Sequence, residues 1–365
     1  MLKFIKWIVK TILILTGILP FMKCGSGYKE QNGKVYFNGK EITDKNFVVL
    51  NDAFAKDSLY AYYKEKSIAG ADIASFKALN EQYAKDKNKV YYCDEYREGQ
   101  NYYLTKRQTV TVVEKALPAS FTMIEAGYAK DSLHGFYGGV LFTVKDITTL
   151  KGIDSRLAKD DALVYFNCKP VAGSNGKSFE VINNNYAKDS LHIYYYGEEK
   201  WGVYVLPCNK ASFKVLEYPY SKDNTAVFYE HQQVNGADVP TFTVLKHGFS
   251  KDKNTVYLQT KKIAGADAAS FEVYKENDEL NQDFYYTKDK NTVFWRDKKV
   301  IEADVASFKV LGNGYGSDGK NVFYKSGIIK NADPKTFKVY PHDFGDADAE
   351  DAKSKYHSGK KLPAD

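Results

Sequence analysis

The stretch at residues 252–271, DKNTVYLQTKKIAGADAASF, contains the pattern that decides the fold. It begins with Asp252, continues with the β-branched and aromatic segment Val256-Tyr257-Leu258, and ends with Asp-x-x-Ser-Phe. β-branched and aromatic residues favour strands, and polar residues rich in Asp and Asn favour turns. We therefore predict a short strand, a polar turn, a second short strand near Ile263 and a turn capped by Asp267.

The aspartate at the start of this pattern recurs along the chain at a nearly constant spacing. Its copies are Asp57, Asp86, Asp131, Asp160, Asp189, Asp223, Asp252, Asp289 and Asp318. The successive intervals are 29, 45, 29, 29, 34, 29, 37 and 29 residues, and the fifth residue after each aspartate is aromatic. This self-similarity predicts tandem repeats of about 29 residues, and the longer intervals predict insertions.

A second signature, Asp/Asn-x-x-Ser/Thr-Phe, follows the predicted strand pair in most repeats. Its Phe begins a third strand, as in Phe308-Lys309-Val310-Leu311, and the Lys-Asp turn is predicted to join one repeat to the next. Three short strands and a capped turn cannot bury their own aromatic side chains, so neighbouring repeats must complete the core. The sequence thus predicts an all-β fold, an elongated or gently curved antiparallel β array, with a closed propeller-like ring as the alternative.

The composition excludes several classes of protein. Of the 365 residues, 44% are hydrophobic and 15% aromatic, which is incompatible with a mostly disordered chain. The formal net charge is +6, but Lys3, Lys6, Lys10 and Lys23 precede the repeats, so the remainder carries only +2. Such a weak basic balance gives no support to nucleic-acid binding.

The N-terminal residues have the layout of an export signal. Three lysines precede an apolar run of twelve residues, TILILTGILPFM at residues 11–22, which has the length of a signal-peptide core and is short for a spanning helix. Cys24 follows directly, as in lipoprotein precursors, although Phe21-Met22-Lys23 departs from the usual small residues. Residues 1–23 are therefore predicted to be a signal peptide or membrane anchor, with Cys24 as a possible lipidation site.

The remaining boundaries follow from the repeats. Residues 24–50 are predicted to be a linker with a shortened first repeat, residues 51–340 the tandem repeats, and residues 341–365 a degenerate capping repeat. Atypical terminal repeats are expected because a stacked array must close its exposed edges.

Three strings carry a resemblance to a known family: DKNKVYY at residues 86–92, DKNTVY at residues 252–257 and DKNTVFW at residues 289–295. They resemble the DKNYY repeat family of bacterial envelope proteins. Asp57-Ser58 and Asp318-Gly319 lack the Lys-Asn pair of that pattern. The resemblance implies a repeat protein of the cell envelope, and it brings no catalytic residues to this sequence.

The polar residues give little indication of catalysis or metal binding. Asp-x-Asn pairs such as Asp252 and Asn254 place oxygens as a calcium loop does, but the adjacent lysines and the missing downstream acid favour a turn. Cys93, Cys168 and Cys208 form no CxxC motif, and no Ser or Cys stands apart from the repeat with a His and an acid. We therefore predict no metal, no cofactor and no enzymatic activity, with an enzyme site in the repeat insertions as a remote alternative.

The insertions at residues 94–116 and 197–210 are the places where a specific partner would be recognised. Tyr102, Tyr103 and Trp201 form the candidate binding face, because such rings contact proteins and sugars well. We expect an exported, non-enzymatic binding or scaffolding protein, periplasmic or on the cell surface, whose partner is an unknown envelope protein or glycan. A carbohydrate-binding protein is the alternative, and membrane association is expected only through the N-terminus.

Overall fold

A computed structural model describes residues 27–43, 46–97, 106–197, 202–274, 285–340 and 347–363. These residues form short β-strands, turns and two single-turn 3-10 helices, so the predicted all-β class is confirmed. No helix in these ranges is long and apolar enough to cross a membrane. The chain divides into two compact units, Met1–Ile182 with Lys188–Leu191, and Asn183–Ala187 with His192–Asp365.

The strands are numbered in chain order. The first group is β1 (Tyr28–Gln31), β2 (Lys34–Phe37), β3 (Lys40–Ile42), β4 (Val48–Val49), β5 (Phe54–Lys56), β6 (Ala61–Tyr63), β7 (Lys66–Ile68), β8 (Lys77–Ala78), β9 (Tyr83–Lys85), β10 (Val90–Tyr96), β11 (Arg107–Val112), β12 (Thr122–Met123), β13 (Tyr128–Lys130), β14 (Gly135–Tyr137), β15 (Val140–Phe142), β16 (Lys151–Gly152), β17 (Leu157–Lys159), β18 (Val164–Phe166), β19 (Lys169–Val171) and β20 (Glu180–Val181).

The second group is β21 (Tyr186–Lys188), β22 (Ile193–Tyr196), β23 (Val203–Val205), β24 (Lys214–Val215), β25 (Tyr220–Lys222), β26 (Val227–Tyr229), β27 (Gln232–Gln233), β28 (Thr243–Val244), β29 (Phe249–Lys251), β30 (Val256–Leu258), β31 (Lys261–Lys262), β32 (Glu272–Val273), β33 (Tyr286–Lys288), β34 (Val293–Trp295), β35 (Lys298–Lys299), β36 (Lys309–Gly312), β37 (Tyr315–Ser317), β38 (Val322–Tyr324), β39 (Gly327–Ile328), β40 (Lys338–Val339), β41 (Ala349–Glu350), β42 (Lys355–His357) and β43 (Lys360–Lys361). The 3-10 helices are Glu125–Gly127 and Lys210–Ser212.

Within each unit, four consecutive strands form one antiparallel sheet in chain order. The sheets are β4–β7, β8–β11, β12–β15 and β16–β19 in the first unit, and β24–β27, β28–β31, β32–β35, β36–β39 and β40–β43 in the second; β1–β3 form a three-stranded sheet. The predicted array of tandem antiparallel repeats is thereby confirmed.

Each of these repeats contains one strand more than the three predicted. The additional strand is the segment directly before the repeat aspartate, such as Phe249–Lys251, which pairs with β28 on one side and β30 on the other. The turn at Asp252 therefore lies inside a sheet, between β29 and β30. The prediction that the Lys-Asp turn joins successive repeats was wrong, because the Asp/Asn-x-x-Ser/Thr-Phe turn makes that connection.

The core is completed between neighbouring sheets, as the short repeat length predicts. Phe271, in the turn between β31 and β32, packs its ring centroid 6.0 Å from Phe249 of the preceding sheet and 6.0 Å from Phe294 of the next. Phe121 makes the equivalent contacts with Tyr83 at 5.7 Å and Phe136 at 5.3 Å. Aromatic pairs at these distances contribute about 0.5–1.5 kcal/mol each beyond the burial of their area.

The two sequence signatures are hydrogen-bonded to each other. We call this arrangement a joint: it consists of the repeat aspartate, the turn that follows it, and the capped turn whose backbone N–H donates to the same carboxylate. In the joint of Asp252, one carboxylate oxygen accepts the backbone N–H groups of Asn254 and Thr255, both at 2.8 Å. The other accepts the backbone N–H of Asp238 at 2.9 Å and the hydroxyl of Tyr257 at 2.9 Å. Asp238 belongs to the capped turn that precedes the sheet, so the carboxylate ties that turn to the centre of the sheet.

The same joint recurs along the described chain. The backbone donors to the repeat aspartates include Asp72 to Asp86, Leu117 to Asp131, Asp146 to Asp160, Asn175 to Asp189, Asn209 to Asp223, Asp267 to Asp289, Asp304 to Asp318 and Asp333 to Asp351. The capped turn also accepts a bond in return: Thr241 Oγ1 accepts the backbone N–H of Lys253 at 3.1 Å. The second signature therefore has Ser or Thr at this position because the hydroxyl oxygen accepts the backbone N–H of the residue that follows the repeat aspartate.

The lysine before the aspartate holds the capped turn that follows. Lys85 is 9% exposed, and its ammonium donates to the backbone carbonyls of Pro118 at 2.6 Å and Phe121 at 2.7 Å. Lys56 donates equivalently to Ile73 and Phe76, and Lys251 to Phe271. These capped turns are therefore fixed by a lysine from one sheet and an aspartate from the next.

These contacts explain why the Asp-x-Asn strings form turns. Both oxygens of Asp252 already face N–H and O–H donors, and Asn254 contributes its backbone N–H to that arrangement. A calcium ion at this carboxylate would have to displace those donors. Burial raises the pKa of Asp252, but the bonds from Asp238, Asn254, Tyr257 and Thr255 outweigh it and hold the pKa below its ordinary value.

Replacing one joint carboxylate is expected to destabilise the fold strongly. Asp160 is 1% exposed and accepts bonds from the backbone of Lys145, Asp146, Ala162 and Leu163 and from the Tyr165 hydroxyl. Asp160→Asn removes the charge and turns an amide N–H₂ toward donors, which we expect to lower the free energy of unfolding by about 3 kcal/mol.

Urea denaturation followed by circular dichroism measures this effect. The matched control is Asp161→Asn, because the Asp161 side chain is exposed and lies next to the joint. Equal midpoints for the two variants would contradict the assignment of the carboxylate as the centre of the joint.

The joints also predict a direction of pH dependence. The pKa values of Asp86, Asp131, Asp223, Asp252, Asp318 and Asp351 are all lowered in the folded chain, despite burial, by their hydrogen-bond donors. A carboxylate with a lowered folded pKa stabilises the fold above its unfolded pKa, and that stability is lost as the pH falls through the folded value.

We therefore expect the urea midpoint to fall steadily between about pH 5 and about pH 3. The variant Asp252→Asn, which has one titrating joint fewer, is expected to show a smaller fall over the same range. A midpoint independent of pH across this interval would contradict the role of ionised aspartates in holding the sheets together.

Candidate functional site

A cleft opens beside the first joint. The cleft has a volume of about 700 Å³ and lies between the sheet β1–β3 and the sheet β4–β7. Its lining residues are Tyr28, Phe37, Asn38, Lys40, Glu41, Ile42, Thr43, Phe47, Asp57, Tyr62, Lys64 and Glu65. It combines aromatic rings, carboxylates, ammonium groups and an amide in one concave surface.

Four aromatic rings form the apolar part of the cleft. Phe47 occupies the position of the capped-turn Phe and packs 5.6 Å from Tyr28 and 5.5 Å from Tyr62. Phe37 packs 4.7 Å from Tyr28. Tyr28 and Phe37 are buried, whereas Phe47 and Tyr62 are half-buried and present part of their surface to the cleft.

Asp57 is the repeat aspartate that lines this cleft. It is half-buried, whereas Asp86 and Asp160 are 3% and 1% exposed. Its carboxylate accepts bonds at 2.6 Å from the backbone N–H groups of Leu59 and Tyr60 and from the Tyr62 hydroxyl. Burial raises its pKa, but these three donors lower it overall, so Asp57 remains ionised at neutral pH.

The sequence of the first capped turn explains the difference. Thr43, fourteen residues before Asp57, stands where most other repeats have Asp or Asn, and Asn46 stands where they have Ser or Thr. Thr43 lines the cleft, and among the described contacts it donates no bond to Asp57. The joint that is closed elsewhere is thus partly replaced here by an accessible cavity.

Charged groups surround the cleft, and some are already paired. Lys64 forms an ion pair with Glu95, which also contacts Lys106 at 3.1 Å, and Glu41 pairs with Lys34 at 2.9 Å. Lys40 and Glu65 are exposed on the rim and form no ion pair in the described part of the chain. They are therefore available to a ligand.

A second hollow adjoins the cleft. Its volume is about 310 Å³, and it shares Asn38, Lys64 and Glu65 with the cleft. Asp52, Glu81, Glu95 and Lys106 contribute charged groups to its other side. The two hollows thus present polar groups on both sides of the β6–β7 hairpin turn.

This arrangement suits binding of a polar molecule that has an apolar face. Ring surfaces such as those of Phe47 and Tyr62 accept the C–H face of a sugar, and carboxylates, amides and ammonium groups bond its hydroxyls. Among the described residues, no group of His, Cys, Asp and Glu side chains has the geometry to hold a metal ion.

The residues predicted from sequence to form a binding face are not among those that the structure describes. Tyr102, Tyr103 and Trp201, and the possible lipidation site Cys24, fall outside the described residues. The insertion that contains Tyr102 and Tyr103 is flanked by β10 and β11, which pair as a long hairpin. The pairing begins with Tyr91 opposite Val112 and ends with Tyr96 opposite Arg107. The cleft was missed, although its signal was present in the altered capped turn at Thr43 and Asn46.

The chain was compared with known proteins. The model of the DKNYY family matches residues 9–95, 154–232 and 220–360, which together cover most of the sequence. No curated protein and no solved structure matches the chain. The chain therefore belongs to the DKNYY family.

Proposed function

We propose that this protein is an exported, non-enzymatic binding or scaffolding module of the bacterial cell envelope, with its ligand held in the cleft beside Asp57. The observation that carries the proposal is the accessible first joint, lined by aromatic and charged groups. Concave sites with an apolar wall and a few convergent polar groups are the usual places for ligand binding.

The other joints support this choice by contrast. Asp86, Asp160 and Asp252 are buried, and their oxygens are occupied by donors from the protein itself. Their repetition gives them a structural role. Asp57 keeps the same local turn but is half-buried and faces a cavity, so at the first joint structural groups are also accessible to a partner.

A carbohydrate is the favoured class of ligand, and an envelope protein is the second candidate. The half-buried rings of Phe47 and Tyr62 supply a stacking surface, while Lys40, Glu65 and Asn38 supply donors and acceptors for hydroxyl groups. A glycan presents both kinds of surface at once. A protein loop inserted into the cleft would use the same groups, and scaffolding would then be the outcome.

We expect the full-length protein to bind one or more glycans on an array of bacterial cell-wall oligosaccharides. The variant Lys40→Ala/Glu65→Ala removes two rim groups and is expected to weaken binding at least tenfold without changing the melting temperature. The control Glu114→Ala/Lys151→Ala removes the same two charge types at exposed positions away from the cleft and is expected to bind like the wild type.

The bound glycan is then recovered, and its mass is measured by mass spectrometry. An unchanged mass is the expected result for a binding protein, and a cleaved or modified glycan would contradict the non-enzymatic assignment. Equal binding by the cleft variant and the wild type would remove the cleft from the proposal.

The export part of the proposal rests on the predicted signal segment at residues 1–23 and on Cys24. We expect a tagged chain to fractionate with the envelope and Cys24→Ala to move into the soluble extracytoplasmic fraction. Cys208→Ala serves as the control. Recovery of the wild-type chain from the cytosol would contradict export, and an unchanged distribution of Cys24→Ala would contradict the lipid anchor.

A further inference from the structure

A strip of lysines lies on the last strands of two neighbouring sheets in the second unit. Lys261 and Lys262 make up β31, and Lys298 and Lys299 make up β35. All four side chains are exposed. We call these four residues the basic strip.

The two lysine pairs of the basic strip adjoin each other. A methyl group placed on Gly265 would lie 2.8 Å from Nζ of Lys299, so that ammonium group sits directly over the linker that follows β31. Lys262 reaches back in the same way over Gly236, where the corresponding distance is 3.0 Å. The strip therefore continues from one sheet to the next.

Five of the described acidic side chains near the strip are already engaged elsewhere. Asp252 and Asp289 are buried in their joints. Asp238 pairs with Lys253 at 3.0 Å, Asp267 with Lys290 at 3.4 Å and Glu272 with Lys288 at 3.1 Å.

Exposed acids remain at Asp297 and Glu302, and Arg296 adds a further positive charge over the Tyr285 ring. Among the described residues, none of the four lysines forms an ion pair. Counted over the described residues alone, the strip and Arg296 outnumber the exposed acids on this edge.

Protection of an exposed sheet edge does not by itself account for the number of lysines on β31 and β35. A single lysine is a common device against edge-to-edge pairing. The last strands β7 and β19 have one lysine each, in Lys66–Ile68 and Lys169–Val171, and β27 has none, in Gln232–Gln233. In β31 and β35, as in the last strand β43, every residue is a lysine, and β31 and β35 belong to neighbouring sheets.

We propose that the basic strip binds a linear phosphate polymer. Lysine pairs on two neighbouring sheets can contact several successive negative groups of one polymer, and binding releases the counterions of such a polymer. Lysine acts on phosphate as a point charge, without the fork geometry that arginine offers to carboxylates. The inference is independent of the cleft, because the residues involved belong to other repeats.

The test measures binding of the full-length protein to long-chain inorganic polyphosphate in 50 mM salt. We expect Lys298→Glu/Lys299→Glu to weaken binding about tenfold or more and to reduce the dependence of binding on salt concentration. The control Lys214→Glu/Lys309→Glu makes the same change of charge on exposed first strands of the second unit and is expected to weaken binding less than twofold.

Melting curves of both variants establish that the fold is kept, and Lys298→Gln/Lys299→Gln is expected to give an intermediate loss of binding. If the control variant weakened polyphosphate binding equally, the basic strip would not be the binding site, because binding would then follow the total charge of the protein. Binding of polygalacturonate as tight as that of polyphosphate would overturn the assignment to phosphate. Binding of monomeric phosphate with equal strength would overturn the requirement for a polymer.

Discussion

The ionised carboxylate of the repeat aspartate is the interaction on which the rest of the structure depends. In the joint of Asp252 it accepts bonds from three backbone N–H groups and a phenol hydroxyl within 2.9 Å, and the Asp252 side chain is buried. Bonds to a charged acceptor are about twice as strong as neutral ones. The carboxylate therefore stabilises the turn inside its own sheet and the connection to the preceding sheet at the same time.

This arrangement allows sheets of very short strands to persist. Strands of two or three residues, such as Lys261–Lys262, form few ladder bonds of their own. The capped-turn residue Phe271 packs into both adjoining sheets, and the Lys251 and Asp289 side chains fix the backbone around that ring. Packing and polar contacts meet at the same joint, so each sheet depends on its neighbours for its core.

Much of the fold could be predicted from the sequence because it is repeated. The spacing of the aspartates and the aromatic fifth residues revealed the all-β repeat, and the family comparison agrees with the resemblance seen in DKNTVY at residues 252–257. The fourth strand was not predicted, because Phe249–Lys251 is short and runs directly into a charged turn. Its strand conformation comes from pairing on both sides, a tertiary effect that local propensity does not contain.

The cleft was harder to predict for a related reason. Thr43 and Asn46 replace the usual Asp/Asn and Ser/Thr of the capped turn. The replacement gains meaning only from the backbone bond that the capped turn donates to an aspartate fourteen residues later. The relation between the two signatures becomes visible only in the hydrogen bonds. The candidate binding face was assigned to Tyr102, Tyr103 and Trp201 because they belong to the insertions, and these residues lie outside the described ones.

The joint also uncouples the length of the chain from the geometry of the fold. Asp238 and Asp252 are separated by 14 residues, Asp333 and Asp351 by 18, and Asp267 and Asp289 by 22, yet the same backbone bond forms in each case. The extra residues enter between the capped turn and the strand that leads to the aspartate, and the described bonds of the joint form at every one of these separations. New sequence is accepted at this position and, in the second repeat, in the β10–β11 hairpin, so the fold can diversify its surface one loop at a time without redesigning the core.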